Sequence, residues 1–238
     1  MSKGPLGIRF GAIPAPAPEA GALARIPVGV ENTGTVAWPA GVFLSYHWLD
    51  SHDNPIVWDG VRTAPPHVGP GEHATVELAV RGPIPPGRYR LALDAVAEHR
   101  AWFSELDSEM LRLDVVVGER TGEPSVTLPA WVEATREWTQ HTRAAHAEGY
   151  AVVAGSIDWE AGALRRRPRE LEPYAPGTGR VPAFGAPLVC PSVLPGVELD
   201  PLGDVAGLPA FAAPRDEPWI YDGRAVLRAR PQSGRRPT

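Results

Sequence analysis

Residues 85–94 read PPGRYRLALD, and this stretch decides how the first half of the chain folds. After a Pro-Pro-Gly turn, every second residue is apolar: Tyr89, Leu91 and Leu93. A period of two predicts an antiparallel strand with one face in a core. The spacing Gly-x-Tyr-x-Leu also predicts a tyrosine corner, in which the Tyr89 hydroxyl bonds to backbone a few residues upstream.

Similar runs lie on both sides of this stretch, separated by Pro/Gly turns and without a helical period. They are residues 6–12, 23–31, 42–50, 56–58, 76–80 and 111–117. Together with residues 89–94 they make seven runs, which predict an antiparallel β-sandwich over residues 20–118. Residues 1–19 are expected to be an N-terminal edge strand and a Pro-rich connector. Trp48 is predicted to be the core tryptophan.

Two groups of motifs resemble a known family. The first comprises NTG at 32–34, Trp38-Pro39, PGE at 70–72 and the Gly87-x-Tyr89-x-Leu91 strand. It is similar to the tryptophan-rich Ig-like domains of autophagy cargo receptors and their bacterial relatives. The second comprises YHWLD at 46–50, VWDG at 57–60 followed by Arg62-Thr63, and WFS at 102–104. It resembles Ig-like modules appended to bacterial glycosyltransferases and other surface-polysaccharide biosynthesis proteins.

The resemblance covers roughly residues 20–118, and it implies an Ig-like fold and a role in surface-polysaccharide or glycan assembly. It carries over no catalytic signature, because such modules have none to transfer.

The second half, residues 119–238, changes character at a polar boundary. Residues 129–148 have helical spacing with Gly149 as a stop signal. Residues 150–154 are predicted to form a short apolar strand, and residues 218–227 a final hairpin or strand. The remainder has few periodic runs, so it is predicted to be a largely irregular, Pro-rich segment that wraps other protein rather than building its own core. Its end is predicted to be a basic tail, with Arg228, Arg230, Arg235 and Arg236.

Composition is that of a globular chain: 238 residues, 43% hydrophobic and 21% charged, with 28 Pro and 25 Gly. The net charge of -5 argues against nucleic acid as a partner. The single cysteine, Cys190, excludes an intrachain disulfide. No segment reaches the ~20 apolar residues of a membrane span, and we expect a cytoplasmic location.

Sequence motifs for catalysis, cofactors and metals are sparse. Asp50, His52 and Asp53 in one hairpin are compatible with a divalent ion or, more simply, with a turn. The Gly177-x-Gly179-Arg180 stretch resembles a phosphate-binding turn, but lacks the strand and helix of a nucleotide loop. We therefore predict no metal and no cofactor.

The candidate ligand-binding residues are Tyr46, Trp58, Asp59, Arg62 and Trp102. Aromatic rings next to carboxylates and a guanidinium suit sugar stacking or a protein partner. The competing interpretation is that these aromatic residues pack against the C-terminal segment of the same chain. Tyr46 shares its alternation with Trp48, which favours a buried position for it.

The function predicted from these features is a non-catalytic binding or accessory module, with a glycan or another polysaccharide-biosynthesis protein as its partner. The alternative is a glycan-modifying or transferase enzyme. Its site would lie between the sandwich and the C-terminal segment, and Asp158, Glu160, Arg180 and Asp222 would converge there.

Overall fold

A computed structural model of the protein describes residues 4–160 and 169–230. Within these residues the chain is mainly β, with sixteen strands and one α-helix. It forms two compact units, Met1–Glu119 and Arg120–Thr238. Each unit has its own sheets and its own buried core.

The first unit contains two antiparallel sheets. Its strands are β1 (Ile8–Phe10), β2 (Leu23–Asn32), β3 (Val42–Leu49), β4 (Pro55–Val57), β5 (His73–Arg81), β6 (Gly87–Ala97), β7 (Ala101–Trp102) and β8 (Leu111–Val117). One sheet has the order β1-β2-β5, and the other has the order β4-β3-β6-β7. Strand β8 also pairs with β6, along residues 87–93. The described strands number eight rather than seven, because residues 101–102 pair with the end of β6.

Residues of both sheets form one core, and the alternation of the sequence explains which side chains enter it. Val28, Trp48 and Leu91 have no exposed surface. Tyr89 is half-buried against this core, and its hydroxyl donates a hydrogen bond of 2.7 Å to the carbonyl oxygen of Pro85. The tyrosine corner predicted from the spacing is therefore present as a contact.

The second unit is built around a pair of parallel strands. Its elements are β9 (Ser125–Val126), β10 (Val132–Ala134), α1 (Arg136–Glu148), β11 (Val152–Trp159), β12 (Leu188–Val189), β13 (Ser192–Val193), β14 (Pro201–Val205), β15 (Leu208–Phe211) and β16 (Trp219–Ala229). A five-stranded sheet has the order β10-β16-β11-β13-β9, and a three-stranded sheet has the order β12-β15-β14. The central strands β11 and β16 run parallel, and α1 contacts both.

This architecture corrects the prediction of a largely irregular wrapping segment for residues 119–238. Most strands of the unit are two to five residues long, too short to show a period. The predicted strands at residues 150–154 and 218–227 overlap β11 and β16. Strand β11 is buried from Val152 to Ile157 on both faces, so no alternation marks its full length. Its partner β16 lies far along the chain, and only the tertiary structure brings the two together.

The helix also begins later than the spacing predicts. Residues 132–134 pair with β16 as strand β10, and the helix starts at Arg136 instead of near Pro129. Thr135 is the N-cap, and its hydroxyl oxygen accepts a hydrogen bond from the Trp138 amide at 3.1 Å. The predicted stop at Gly149 is confirmed.

Two arginines of the predicted basic tail, Arg235 and Arg236, lie outside the described residues. Arg228 belongs to β16 and lies 3.9 Å from Glu160, and Arg230 pairs with Glu133. These two arginines are therefore held by carboxylates of the second unit.

Candidate functional site

A buried polar cluster lies on the face of the β3–β6 sheet opposite to the core. Because side chains alternate along a strand, Ser45 and His47 point away from the side that carries Tyr46 and Trp48. Ser45 pairs in register with Asp94 of β6. Ser45 and His47 have no exposed surface, and Asp94 has 1%. A sheet face that would ordinarily meet solvent is thus covered by other residues of the first unit.

Two tryptophans cover His47. The Trp58 ring stacks on the imidazole with centroids 4.0 Å apart and an interplanar angle of 18°. The Trp102 ring meets the same imidazole edge-on at 4.4 Å. His47 Nδ1–H donates to the Trp58 carbonyl oxygen, which fixes the tautomer, because a carbonyl can only accept. Stacking and hydrogen bonding together set the position of Trp58.

The other ring nitrogen, His47 Nε2, lies 3.6 Å from Asp94 Oδ2 and has no hydrogen-bond partner among the residues that the structure describes. The Asp94 carboxylate instead accepts hydrogen bonds from the amide of Ala95 at 2.7 Å and the hydroxyl of Ser104 at 2.5 Å. The bond to Ser104 fastens the short 3-10 helix Phe103–Leu106 to β6. Trp102 immediately precedes that helix, so Asp94 fixes the second tryptophan of the cluster.

Arg62 contacts both the Trp102 ring and the carboxylates of Asp59 and Glu98. Its guanidinium lies over the Trp102 ring, 4.9 Å from the centroid, in a cation–π geometry. It forms ion pairs with Asp59 at 2.5 Å and with Glu98 at 2.7 Å, and it donates to the Ser45 hydroxyl at 3.0 Å. The side chain of Arg62 is only 26% exposed, whereas that of Asp59 is 67% exposed. Arg62 is therefore held in one orientation, and Asp59 faces solvent.

Four of the five predicted site residues come together in this arrangement: Trp58, Asp59, Arg62 and Trp102. Tyr46 does not join them, which corrects its place in the predicted set. It is 2% exposed, its ring meets Trp48 edge-on, and its hydroxyl accepts a hydrogen bond from the Arg81 amide at 2.8 Å. Burial raises the pKa of the Tyr46 hydroxyl. The cause of its position is the strand period, which places Tyr46 and His47 on opposite faces.

Sequence reasoning missed His47, Asp94, Ser104 and Glu98 as parts of the site. Polar residues on the outer face of a strand are ordinarily solvated, so they attract no attention. The sequence contains one signal for them: two polar residues, His47 and Asp94, lie in the predicted strands, and tryptophans lie in the adjoining turns.

The cluster combines a half-exposed aromatic ring with titratable groups that are engaged or buried. Trp58 is 48% exposed and is held in place from below by His47. The carboxylates of Asp59 and Glu98 are both engaged by Arg62, and the imidazole is out of contact with solvent. What reaches solvent is a fixed aromatic surface with hydrogen-bond acceptors at its edge.

Three of the residues named for the enzyme alternative form ion pairs among the described residues. Glu160 pairs with Arg228, Arg180 pairs with Glu172, and Asp222 pairs with Arg224. Asp158 lies opposite Arg228 in the β11–β16 register. Over residues 4–160 and 169–230, no group of three His, Cys, Asp or Glu side chains is placed to hold a metal ion.

The residues of the 50–53 hairpin and the single cysteine both have structural explanations. In the hairpin, the Asp50 carboxylate accepts hydrogen bonds from the amides of His52 at 2.8 Å and Asn54 at 2.9 Å, as an Asx turn does. Hydrogen bonds from Asn54 lower the pKa of Asp50. Cys190 is fully buried, and burial raises the pKa of its thiol to about 12, which keeps it unreactive.

One buried pair was not expected from the sequence. His146 Nε2 of α1 lies 3.0 Å from the Ser192 hydroxyl of β13, while His146 Nδ1 lies 2.7 Å from the Tyr150 carbonyl oxygen. Both side chains are 3% exposed. The pair therefore joins the helix to the sheet, and Ser192 is not accessible as a nucleophile.

No family model matches this chain, and no curated protein matches it. Among the described residues, no helix is both long enough and apolar enough to cross a membrane.

Proposed function

We propose that the first unit is an Ig-like recognition module that binds a glycan through the cluster of Trp58, Asp59, Arg62 and Trp102. The observation that carries the proposal is the stack of the half-exposed Trp58 on the buried His47, 4.0 Å apart. A ring that is fixed before binding loses little conformational entropy when a ligand covers it. The aromatic face packs against the C–H groups of a sugar ring, and Asp59 and Glu98 accept hydrogen bonds from its hydroxyls.

The charges of the cluster favour one kind of sugar. Two carboxylates, Asp59 and Glu98, surround the single guanidinium of Arg62. An acidic sugar would therefore meet net repulsion, whereas a neutral or amino sugar would not. The ligand class proposed is a neutral or amino sugar within a larger glycan.

Several contacts support the finer description of the fold as a seven-stranded Ig-like sandwich, with β7 as a short addition. Residues 18–20 leave the side of β1 and bridge to Gly118 at the end of β8, as a first strand that changes sheets does. The hydrogen bond from Tyr89 to Pro85 and the full burial of Trp48 also support it, because a tyrosine corner and a core tryptophan are typical of that fold.

The proposed biological setting is surface-polysaccharide or glycan assembly in a bacterium, in which the module acts as an accessory without catalysing a reaction. A polysaccharide-biosynthesis protein is the second partner that this surface fits, because aromatic residues and arginine are enriched at protein interfaces. The proposed location is cytoplasmic, supported by the single, buried Cys190.

The test is titration of the full chain with neutral, amino and acidic oligosaccharides by calorimetry. Replacing Trp58 with Ala removes the stacking ring but keeps the backbone carbonyl that accepts from His47, so the fold should survive. We expect an affinity loss of about tenfold or more, the usual effect at a central aromatic anchor.

Phe184→Ala is the matched control, because it removes a fully exposed aromatic ring from the second unit. Its affinity should equal that of the unchanged protein. Equal affinities in Trp58→Ala and Phe184→Ala would contradict the proposal, as would a preference for acidic sugars.

A further inference from the structure

The central strands of the second unit lose their register at one point. Gly155 pairs with Asp222, but the next residue of β11, Ser156, pairs with Val226. Residues 223–225 of β16 therefore form a bulge without counterparts on β11. Bulges redirect side chains away from a sheet and are common beside functional sites.

Specific contacts hold this bulge in shape. The Asp222 carboxylate accepts from Arg224 Nε at 2.9 Å, from Arg224 Nη2 at 2.8 Å and from the Arg224 amide at 3.0 Å. The Ser156 hydroxyl donates to the Gly223 carbonyl oxygen at 2.8 Å and lies 3.0 Å from the Tyr221 hydroxyl. Burial alone would raise the pKa of Asp222, but the bonds from Arg224 outweigh it and lower that pKa. The three bonds to Asp222 therefore hold the Arg224 side chain in one orientation at the bulge.

A second segment of the same unit borders the bulge, and the two line an open pocket of about 330 Å³. This segment contains Gly177 and Gly179, whose φ angles of +71° and +64° favour glycine. Between them, the Thr178 hydroxyl donates to the Ala175 carbonyl oxygen at 2.9 Å. The turn places Arg180 and Val181 at this pocket, which Arg224 also lines.

The charged residues that line the pocket are both basic. Arg180 and Arg224 both line it, whereas their carboxylate partners, Glu172 and Asp222, are not among its lining residues. Arg224 uses Nε and Nη2 to bind Asp222, which leaves Nη1 for another acceptor. Arg180 uses Nη1 for Glu172 at 3.3 Å, which leaves Nε and Nη2. Two arginines that line one pocket therefore keep guanidinium N–H groups that no described residue is recorded as engaging.

We propose that this pocket is a binding site for an oxyanion, a phosphoryl or carboxylate group of a small ligand. Guanidinium groups match the geometry of such groups, and two of them from different segments enclose an anion from two sides. The site belongs entirely to the second unit and does not depend on the glycan surface of the first. Its failure would leave the glycan proposal unaffected.

The experiment follows amide signals of the full chain by NMR during titration with inorganic phosphate, and separately with acetate, at constant ionic strength. Signals of Gly177, Gly179 and Gly223 should shift in a saturable way. Stronger binding of phosphate than of acetate would assign the site to phosphoryl groups, and the reverse order would assign it to carboxylates.

Arg180→Gln is the informative variant, because the Arg180 side chain is 65% exposed and its loss should leave the fold intact. We expect it to weaken binding of the preferred anion about tenfold, as loss of a charge-assisted hydrogen bond does. Arg143→Gln is the matched control, since Arg143 is 67% exposed and also pairs with one carboxylate, Glu123. Equal weakening in both variants, or an absence of saturable shifts at the three glycines, would overturn the proposal.

Discussion

The two units cover their strands differently. In the first unit, β2 alternates: Ile26, Val28 and Val30 are buried, and Pro27 between them is exposed. In the second unit, β11 is buried continuously from Val152 to Ile157. The cause is that one face of β2 meets solvent, whereas both faces of β11 are covered by protein.

In the first unit, strand β6 is partly exposed at one end and continuously buried at the other. Near its start, β6 alternates weakly, but from Leu91 to Ala97 every residue is buried. That buried half includes Asp94, beneath the segment that carries Trp102. Continuous burial that includes polar residues therefore marks the place where loops return to cover a sheet, and in this unit that place is the candidate site.

The largest expected effect tests the core of the first unit. Leu91 is fully buried in β6, so Leu91→Ala should lower the free energy of unfolding by about 2–5 kcal/mol through lost burial and a cavity. Urea denaturation followed by hydrogen exchange would measure the loss and place it in residues 4–119. Val116→Ala on the neighbouring β8, at 60% exposure, is the control and should change stability by less than about 0.5 kcal/mol. Similar losses in both variants would mean that the faces of this sheet are wrongly assigned.

An intermediate effect tests the doubly covered strand of the second unit. A Cβ at Gly155 would lie 2.2 Å from the Ala225 carbonyl oxygen and 2.7 Å from the Trp138 ring, so backbone must move. We expect Gly155→Ala to cost about 1–3 kcal/mol. Thermal and urea unfolding would measure it.

Gly29 of β2 provides the contrast, because a Cβ there meets nothing within 4 Å. Gly29→Ala should be neutral or stabilise by up to about 1 kcal/mol, since alanine restricts the unfolded chain. A Gly155→Ala variant as stable as Gly29→Ala would contradict the close packing between β11 and the bulge of β16.

The contrast between alternating strands and doubly covered strands also explains which parts of the fold could be predicted from the sequence. Tyr89, Leu91 and Trp48 could be placed because alternation reports which face is buried, and turn residues bound each run. The two long strands of the second unit could be predicted in part, at residues 150–154 and 218–227. Its short strands could not be placed, because Ser192-Val193 and Leu188-Val189 are two-residue strands that exist only through their partners. Local sequence carries no record of a partner tens of residues away.

The candidate site was predictable in its exposed parts only. Trp58, Asp59, Arg62 and Trp102 were found because aromatic and charged residues stand out in turns. His47 and Asp94 were missed, because their role depends on loops that cover the outer face of β3 and β6. The support beneath a binding surface is a property of tertiary packing, and composition does not reveal it.

The smallest expected effect concerns the stability of the second unit at acid pH, and it depends on a single side chain, His146. Burial lowers the pKa of His146 below its ordinary value of 6.5, and the nearby Arg120 acts in the same direction against the Tyr150 carbonyl. The unfolded chain therefore binds a proton near pH 6.5 that the folded unit resists. Stability of the second unit should fall as the pH decreases through 6.5, with a slope of at most about 1.4 kcal/mol per pH unit from this one group.

Replacing His146 with Gln removes the titrating imidazole. The dependence of the unfolding free energy on pH between pH 7 and pH 5 should therefore become flatter, whatever its absolute value. Denaturation curves at several pH values, read by hydrogen exchange in residues 136–159, would measure both slopes. Identical slopes in the two proteins would show that His146 protonates as readily in the folded unit as in the unfolded chain, and that its bond to Ser192 is not kept from water.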